Sequence, residues 1–387
     1  YRLRAGWALL ILGLILALGA CRSGPDPTPT PSQSPSFGVD IGAGQPARGA
    51  VTAAAAPVGE AETIPVVIGP TDYPADVNPL TGLKMADPSV LERRPLVIKV
   101  SNFPADPVRP QSGLGFADLV FEHYTEGGVT RMTAVFYGQS AQRVGSVRSG
   151  RLIDLEITSM YDGIFVSSGF SGGVQARMQE ADWFERNFSA PFGYSAPYLN
   201  RIPEEGVSSE HTLYADPNAI WARAAELGLN VRPDLSPGMT FYAVVPDGGT
   251  PASNITIDYV GESVRWEYDP VSGQYLRWTD GERHLEELTE EQLSFANVLV
   301  ISADHVETDI LEDTWGGGHW SLEIQLWGEG PLTLFRDGMR LEGRWHRSDR
   351  SLMLAFNDLN GNPLMLKPGS TFFQVVPLGF DGLSTEP

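Results

Sequence analysis

Val129-Thr130-Arg131-Met132-Thr133-Ala134-Val135-Phe136-Tyr137 alternates in the manner of a long β-strand, and its surroundings decide the fold class. Two shorter apolar runs precede it, Pro95-Leu96-Val97-Ile98-Lys99-Val100 and Ala117-Asp118-Leu119-Val120-Phe121. After it, Leu152, Ile153, Leu155 and Ile157 recur at helical spacing up to Met160, and Gly163-Ile164-Phe165-Val166 has strand length again. Val174 to Glu180 and Asn218 to Leu229 are helical, the second capped by Asp216-Pro217 and stopped near Gly228. Strands interleaved with helices imply an α/β layer structure.

Beyond Pro237-Gly238 the texture changes. Short strand-like runs follow one another (Met239–Val245, Ile255–Tyr259, Val264–Tyr268, Gln274–Trp278, Val298–Ser302, Leu322–Trp327, Leu332–Arg336, Leu352–Phe356, Phe372–Val376), with turn pairs such as Asp337-Gly338 and Asn360-Gly361 between them. The expected organisation is an α/β N-terminal domain over 71–235 followed by a mainly-β C-terminal domain over 236–382. The boundary falls near 232–238, and each domain is expected to hold its own core.

The first 70 residues read differently. Arg2 and Arg4 precede an apolar run from Ala5 to Ala17 that closes on Leu18-Gly19-Ala20-Cys21. A basic start, an apolar stretch and small residues before a cut site describe an export signal over 1–20. The run approaches the length that spans a bilayer, but no stop-transfer charges follow it. Leu18–Cys21 resembles the lipobox of bacterial lipoproteins, which implies that Cys21 becomes the lipidated N-terminus. Acyl chains at ~0.8 kcal/mol per buried CH₂ hold a protein firmly on a membrane. The segment 21–70 is rich in Pro, Ser, Thr, Ala and Gly and cannot bury enough surface to fold. It reads as a disordered tether with an r.m.s. reach of roughly 40 Å. The chain opens on Tyr1 rather than Met, so a start codon upstream is expected.

Charge narrows the partners. Lys+Arg number 27 against 48 Asp+Glu, a net −21, and no basic stripe is visible, so nucleic acid is not an expected partner. Cys21 is the single cysteine, so the folded part carries no disulfide and relies on its core.

From Asn78 to Pro377 the chain resembles the YerB-like lipoproteins, a family of two adjoining domains of unknown function. The matching stretches occur in order: Asn78-Pro79-Leu80-Thr81-Gly82; Arg109-Pro110-Gln111-Ser112-Gly113-Leu114 with Ala117-Asp118; Glu126-Gly127-Gly128 with Thr130-Arg131; Gly145-Ser146-Val147-Arg148-Ser149-Gly150-Arg151; and His211-Thr212-Leu213-Tyr214. Asp337-Gly338, Gly343 with Trp345, Asp358 with Asn360-Gly361, Pro368-Gly369 and Val375-Val376-Pro377 continue the match. The family usually has proline, alanine and asparagine where Ser146, Gly150 and Thr212 stand. The resemblance implies an extracytoplasmic lipoprotein of the cell envelope and names no reaction.

The densest polar constellation is Gly145–Arg151, between a strand and a helix. Glycines let backbone approach a ligand, a helix N-terminus favours anions, and arginines offer bidentate donors. Arg148, Arg151, Ser149, Arg131 and His211 are therefore candidate ligand-binding residues for an anion, with Ser167–Gly173 as a second rim. The alternative is that Arg148 and Arg151 pair internally with Asp118, Glu122 or Asp154. Asp118, Glu122 and Glu126 lie four apart; the first two are candidate Mg²⁺ ligands, or partners for the arginines. The six histidines show no metal-ligand spacing. Asp358-Leu359-Asn360-Gly361-Asn362 lacks the closing glutamate of a calcium loop, so an Asn-Gly hairpin is expected. In layout the chain also resembles the LytR-CpsA-Psr envelope phosphotransferases. That likeness implies Asp118 for Mg²⁺ and Arg148, Arg151 and Gly172-Gly173 for a lipid pyrophosphate. Three functions follow: a binding or scaffolding module for an anionic envelope ligand, a metal-dependent phosphoryl-transfer enzyme, or an interaction platform for another envelope protein. The first is preferred because no nucleophile–base pair is legible.

Overall fold

The structure, a computed structural model, describes residues 66–314 and 317–387. The expected signal peptide, Cys21 and nearly all of the tether lie outside the described residues. Among the described residues no helix is long and apolar enough to cross a membrane.

The N-terminal region supplies strands β1 (Leu96–Ser101), β2 (Leu119–Tyr124) and β3 (Thr130–Phe136), the two-residue β4 (Val144–Gly145), helix α1 (Ile153–Met160), β5 (Ile164–Ser167), α2 (Gly172–Gln179), β6 (Asn187–Ser189) and α3 (Pro217–Glu226). The start and stop signals of α3 act as the sequence implied. Asp216 accepts from the Ala219 amide, Pro217 occupies the first turn, and Gly228 follows with φ +72°. The C-terminal region is mainly β: β7 (Thr250–Pro251), β8 (Asn254–Asp258), β9 (Ser263–Asp269), β10 (Gln274–Thr279), β11 (Asn297–Ala303), β12 (His305–Asp313), β13 (His319–Ile324), β14 (Gly328–Arg336), β15 (Met339–Arg347), β16 (Ala355–Asp358), β17 (Thr371–Pro377) and β18 (Leu383–Glu386), with a few shorter pairings. Asp337-Gly338 closes the β14–β15 hairpin with both residues at positive φ, as a type I′ turn requires.

Eleven strands form one mixed sheet in the order β7-β15-β14-β11-β17-β2-β3-β1-β5-β6, with β16 on β15. Its middle corrects the expectation of separate cores. β17 comes near the end of the chain, yet it lies parallel to both β11 and β2, with Phe121 opposite Phe373. Those two rings stack at 4.2 Å, one from each region. Strands buried on both faces read as continuous apolar runs, as Leu119–Phe121 and Phe372–Phe373 do.

One face of the sheet is covered by α1 and α2, packing Leu155, Ile157, Val174 and Met178 with Phe121, Ile301, Phe373 and Val375. The other is covered by α3 and by a second, antiparallel sheet built on β10-β9-β8-β18, which brings Ile255, Trp266 and Tyr275 against Val120 and Phe372. Both clusters therefore draw on both regions. The regions differ in content as expected but share their cores, because the pairing that joins them spans some 250 residues of sequence and leaves no local periodicity.

Candidate functional site

The Gly145–Arg151 turn lies where β1 and β5, a parallel pair, end side by side. Backbone bonds fix it there: Arg148 donates to Lys99 O at 3.0 Å, Ser168 to Arg148 O at 3.0 Å, and Gly150 to Gly169 O at 2.9 Å. A Cβ on Gly150 would sit 2.6 Å from the Phe170 ring, so an alanine here requires that ring to shift. Ser149 Oγ and Ser168 Oγ are 3.3 Å apart. The two glycine-rich stretches thus form one rim at the carboxyl ends of parallel strands, a usual ligand position in α/β sheets.

All five candidate ligand-binding residues gather at this corner, with different freedom. Arg151 is buried; it forms a two-pronged bond to Glu126, with Nε to Oε2 at 2.6 Å and Nη2 to Oε1. Arg131, also buried, donates to the Ser149 carbonyl at 2.9 Å and lies 3.6 Å from Glu126. Burial and the neighbouring Arg151 push the Arg131 guanidinium down to about 9. Burial alone would raise Glu126, but the bonds and charges of Arg151 and Arg131 outweigh it and hold the carboxyl down to about 2. Beneath lies a second buried set: Lys99 Nζ sits 2.6 Å from His123 Nε2, 2.9 Å from Thr133 Oγ1 and 3.0 Å from Asp154 Oδ1. Desolvation pushes that lysine down to about 8 although Asp154 opposes it. Arg131 and Arg151 are therefore internal partners, and of the carboxylates expected to pair with the arginines it is Glu126 that their guanidinium groups share, with Glu312 3.7 Å from Arg151.

Arg148 is different. Its side chain is 19% exposed, it bonds the Glu210 carboxylate at 3.0 Å, and that carboxylate is itself 58% exposed. Arg148 Nε and His211 Nδ1 are buried without a hydrogen-bond partner. Burial, then the charge of Arg148, lowers the His211 pKa, which leaves a neutral imidazole beside the guanidinium.

The two candidate metal ligands do not meet. Asp118 is saturated by amides, accepting from Tyr137 N at 2.5 Å, Gly138 N at 2.9 Å and Asn78 Nδ2 at 2.8 Å. Burial still pushes it up to about 6. Glu122 is engaged elsewhere, 3.0 Å from Arg277 in a wholly buried pair. A carboxylate already occupied by three N–H groups and another neutralised by arginine do not fit Mg²⁺, so the metal assignment to Asp118 and Glu122 is corrected. Among the described residues no cluster of His, Cys, Asp or Glu has metal-binding geometry.

A second constellation, missed from sequence, joins the two regions. Each contributes a carboxylate to the other's arginine: Glu122 on β2 meets Arg277 on β10, and Glu262, at the turn between β8 and β9, meets Arg109 at 2.5 Å. The Arg109–Leu114 stretch continues the seam. Gln111 accepts from His284 Nε2 at 2.5 Å, and the amides of Gly113 and Gly115 cradle the Glu286 carboxylate at 2.6 and 2.8 Å. A cavity of about 450 Å³ opens above it, lined by Arg109, Thr279, Asp280 and His284 among others.

Family comparisons divide the chain in the same way. Residues 80–230 match the N-terminal domain, and 255–373 the C-terminal domain, of the family described as protein of unknown function DUF3048. The chain belongs to that family. Its YerB-like character is supported by a named relative in Bacillus subtilis (strain 168), the candidate lipoprotein YerB, 28% identical over 311 residues, covering 77% of this chain and 86% of the relative. A crystal structure of the Bacillus subtilis YerB protein superposes with a TM-score of 0.67 at 27% identity, covering 80% of this chain and 99% of that one. The YerB-like stretches read from sequence thus acquire distinct positions: Gly145–Arg151 at the corner, Arg109–Leu114 at the seam.

Proposed function

We propose that this protein is an extracytoplasmic lipoprotein, held on the membrane through Cys21, whose Arg148 corner binds an anionic envelope ligand or partner. The observation that carries the reading is the state of Arg148. It is a half-buried guanidinium with an unpartnered Nε, tethered to a solvent-exposed carboxylate that an incoming phosphate or carboxylate can displace. An exposed ion pair contributes only about 0–1 kcal/mol, so exchanging Glu210 for a bidentate ligand costs little. The neutral His211 and the hydroxyls of Ser149 and Ser168 add donors that do not depend on charge. The lipoprotein assignment rests on Leu18–Cys21 and on the family relationship.

Binding comes before chemistry in this reading, since Asp118 and Glu122 are committed to amides and to Arg277. Calorimetric titration with inorganic pyrophosphate tests it. Saturable binding is expected, weakened by Arg148→Lys and abolished by Arg148→Ala; no heat from the wild-type protein, or equal binding by Arg148→Ala, rejects the site. For the tether, Cys21→Ala should shift the protein out of the membrane fraction or leave it unprocessed, and unchanged retention would reject lipidation.

A further inference from the structure

At the seam, the carboxyl groups of Glu122 and Glu262 address the same two side chains. Asn102 Nδ2 lies 3.0 Å from Glu122 Oε1 and 2.8 and 2.9 Å from the two Glu262 oxygens. Thr130 Oγ1 lies 3.0 Å from Glu122 Oε1 and also contacts Glu262 Oε1. A hydroxyl carries one proton and can donate to one of these oxygens only. Two carboxylates at one hydroxyl would leave an oxygen–oxygen contact without hydrogen, and burial forbids water from screening it. The count closes if one carboxyl is protonated and donates to the threonine.

We propose that Glu122 and Glu262 share a single proton, making the seam between the two regions a proton-sensitive clasp. The surrounding charges agree. From the N-terminal region, Arg109 bonds Glu262 and also Asp280 at 2.7 Å, and Tyr124 stands nearby. From β10 and the turn after it come Arg277, on Glu122, and His284, which accepts from Arg277 Nε at 2.9 Å and is kept neutral by burial and that arginine. Tyr259, bonded to Gln374 at 2.6 Å, completes the wall as an unionised phenol. Arg277 neutralises one carboxylate, while Arg109 divides its charge between Glu262 and Asp280, so the second carboxyl keeps its proton. Burial first, then the charge of Glu122, pushes Glu262 up to about 8.

The folded protein therefore holds a proton that the unfolded chain releases near pH 4.5. The associated stability is full below that pH and is lost as pH rises through about 8, loosening the seam beneath the cavity that Arg109 lines. The test compares the full-length protein with Glu262→Gln, which replaces the shared proton with an amide. Urea midpoints should separate progressively between pH 5 and 8: wild type loses ground relative to the variant, and the difference levels off above about pH 8. Parallel midpoint curves would overturn the proposal. Should Glu262→Gln not fold, infrared spectra of the wild type decide. A protonated-carboxyl C=O band at pH 7 that bleaches on alkaline titration is expected, and its absence at pH 7 would equally overturn the proposal.

Discussion

The Arg148 corner and the Arg109–Arg277 seam are built from the same materials, arginines facing glutamates, and they differ in what stands on the far side. At the seam Arg277 and Glu122 are both 0% exposed and come from different regions, so neither can let go without opening the fold. At the corner Arg148 holds a glutamate that is itself largely in water. An arginine becomes a binding residue when its carboxylate partner can be exchanged, and a structural one when that partner is buried. Arg131 and Arg151 lie between these limits: they gather at the corner, but their shared Glu126 is only 10% exposed.

Substitutions rank these positions. Arg277→Ala leaves Glu122 as an uncompensated buried charge and should cost about 3–5 kcal/mol in urea unfolding. A loss below 1 kcal/mol would erase the distinction between seam and corner. Glu126 should govern the acid limb. Its carboxyl is lower folded than unfolded, so its stabilisation is present above about pH 4.5 and disappears as pH falls toward about 2. That contribution is on the order of 3 kcal/mol, and Glu126→Gln should flatten the acid limb; an unchanged limb would place the arginines' partner elsewhere. Arg148→Ala should be the mildest, under about 1 kcal/mol, since its pair is largely solvated. A large destabilisation there would turn the corner into a second structural ion pair.

Much of the fold was legible. The β1, β2, β3 and β5 runs, the helices α1, α2 and α3 and the Asp337-Gly338 hairpin announced themselves through period and caps. Two long strands did not. β12 is acidic and mostly unburied, so no apolar alternation marks it. β15 alternates Leu341, Gly343, Trp345 and Arg347 inward, and an inward glycine and arginine hide the pattern. The division into two cores misled for another reason: β17 pairs with β2 across the whole chain, and a parallel pairing of that span has no local signature.

Of the site, the gathering of Arg131, Arg148, Ser149, Arg151 and His211 was legible because glycines and arginines cluster around one turn. Which arginine faces an exposed, exchangeable partner was not, since exposure of the partner is a tertiary property. The seam was the harder miss. Glu122 and His123 stand in the middle of an otherwise apolar strand, and such buried polar residues are the available signal. The seam groups that Glu122 meets, Arg277 and Glu262, lie some 140 to 155 residues away.

The most direct measurement is of individual arginine side chains. In a pyrophosphate titration followed through assigned arginine Nε–Hε resonances, the Arg148 signal should shift saturably while those of Arg109 and Arg277 stay fixed. A uniform drift of all three with ionic strength, or a silent Arg148, would contradict the account.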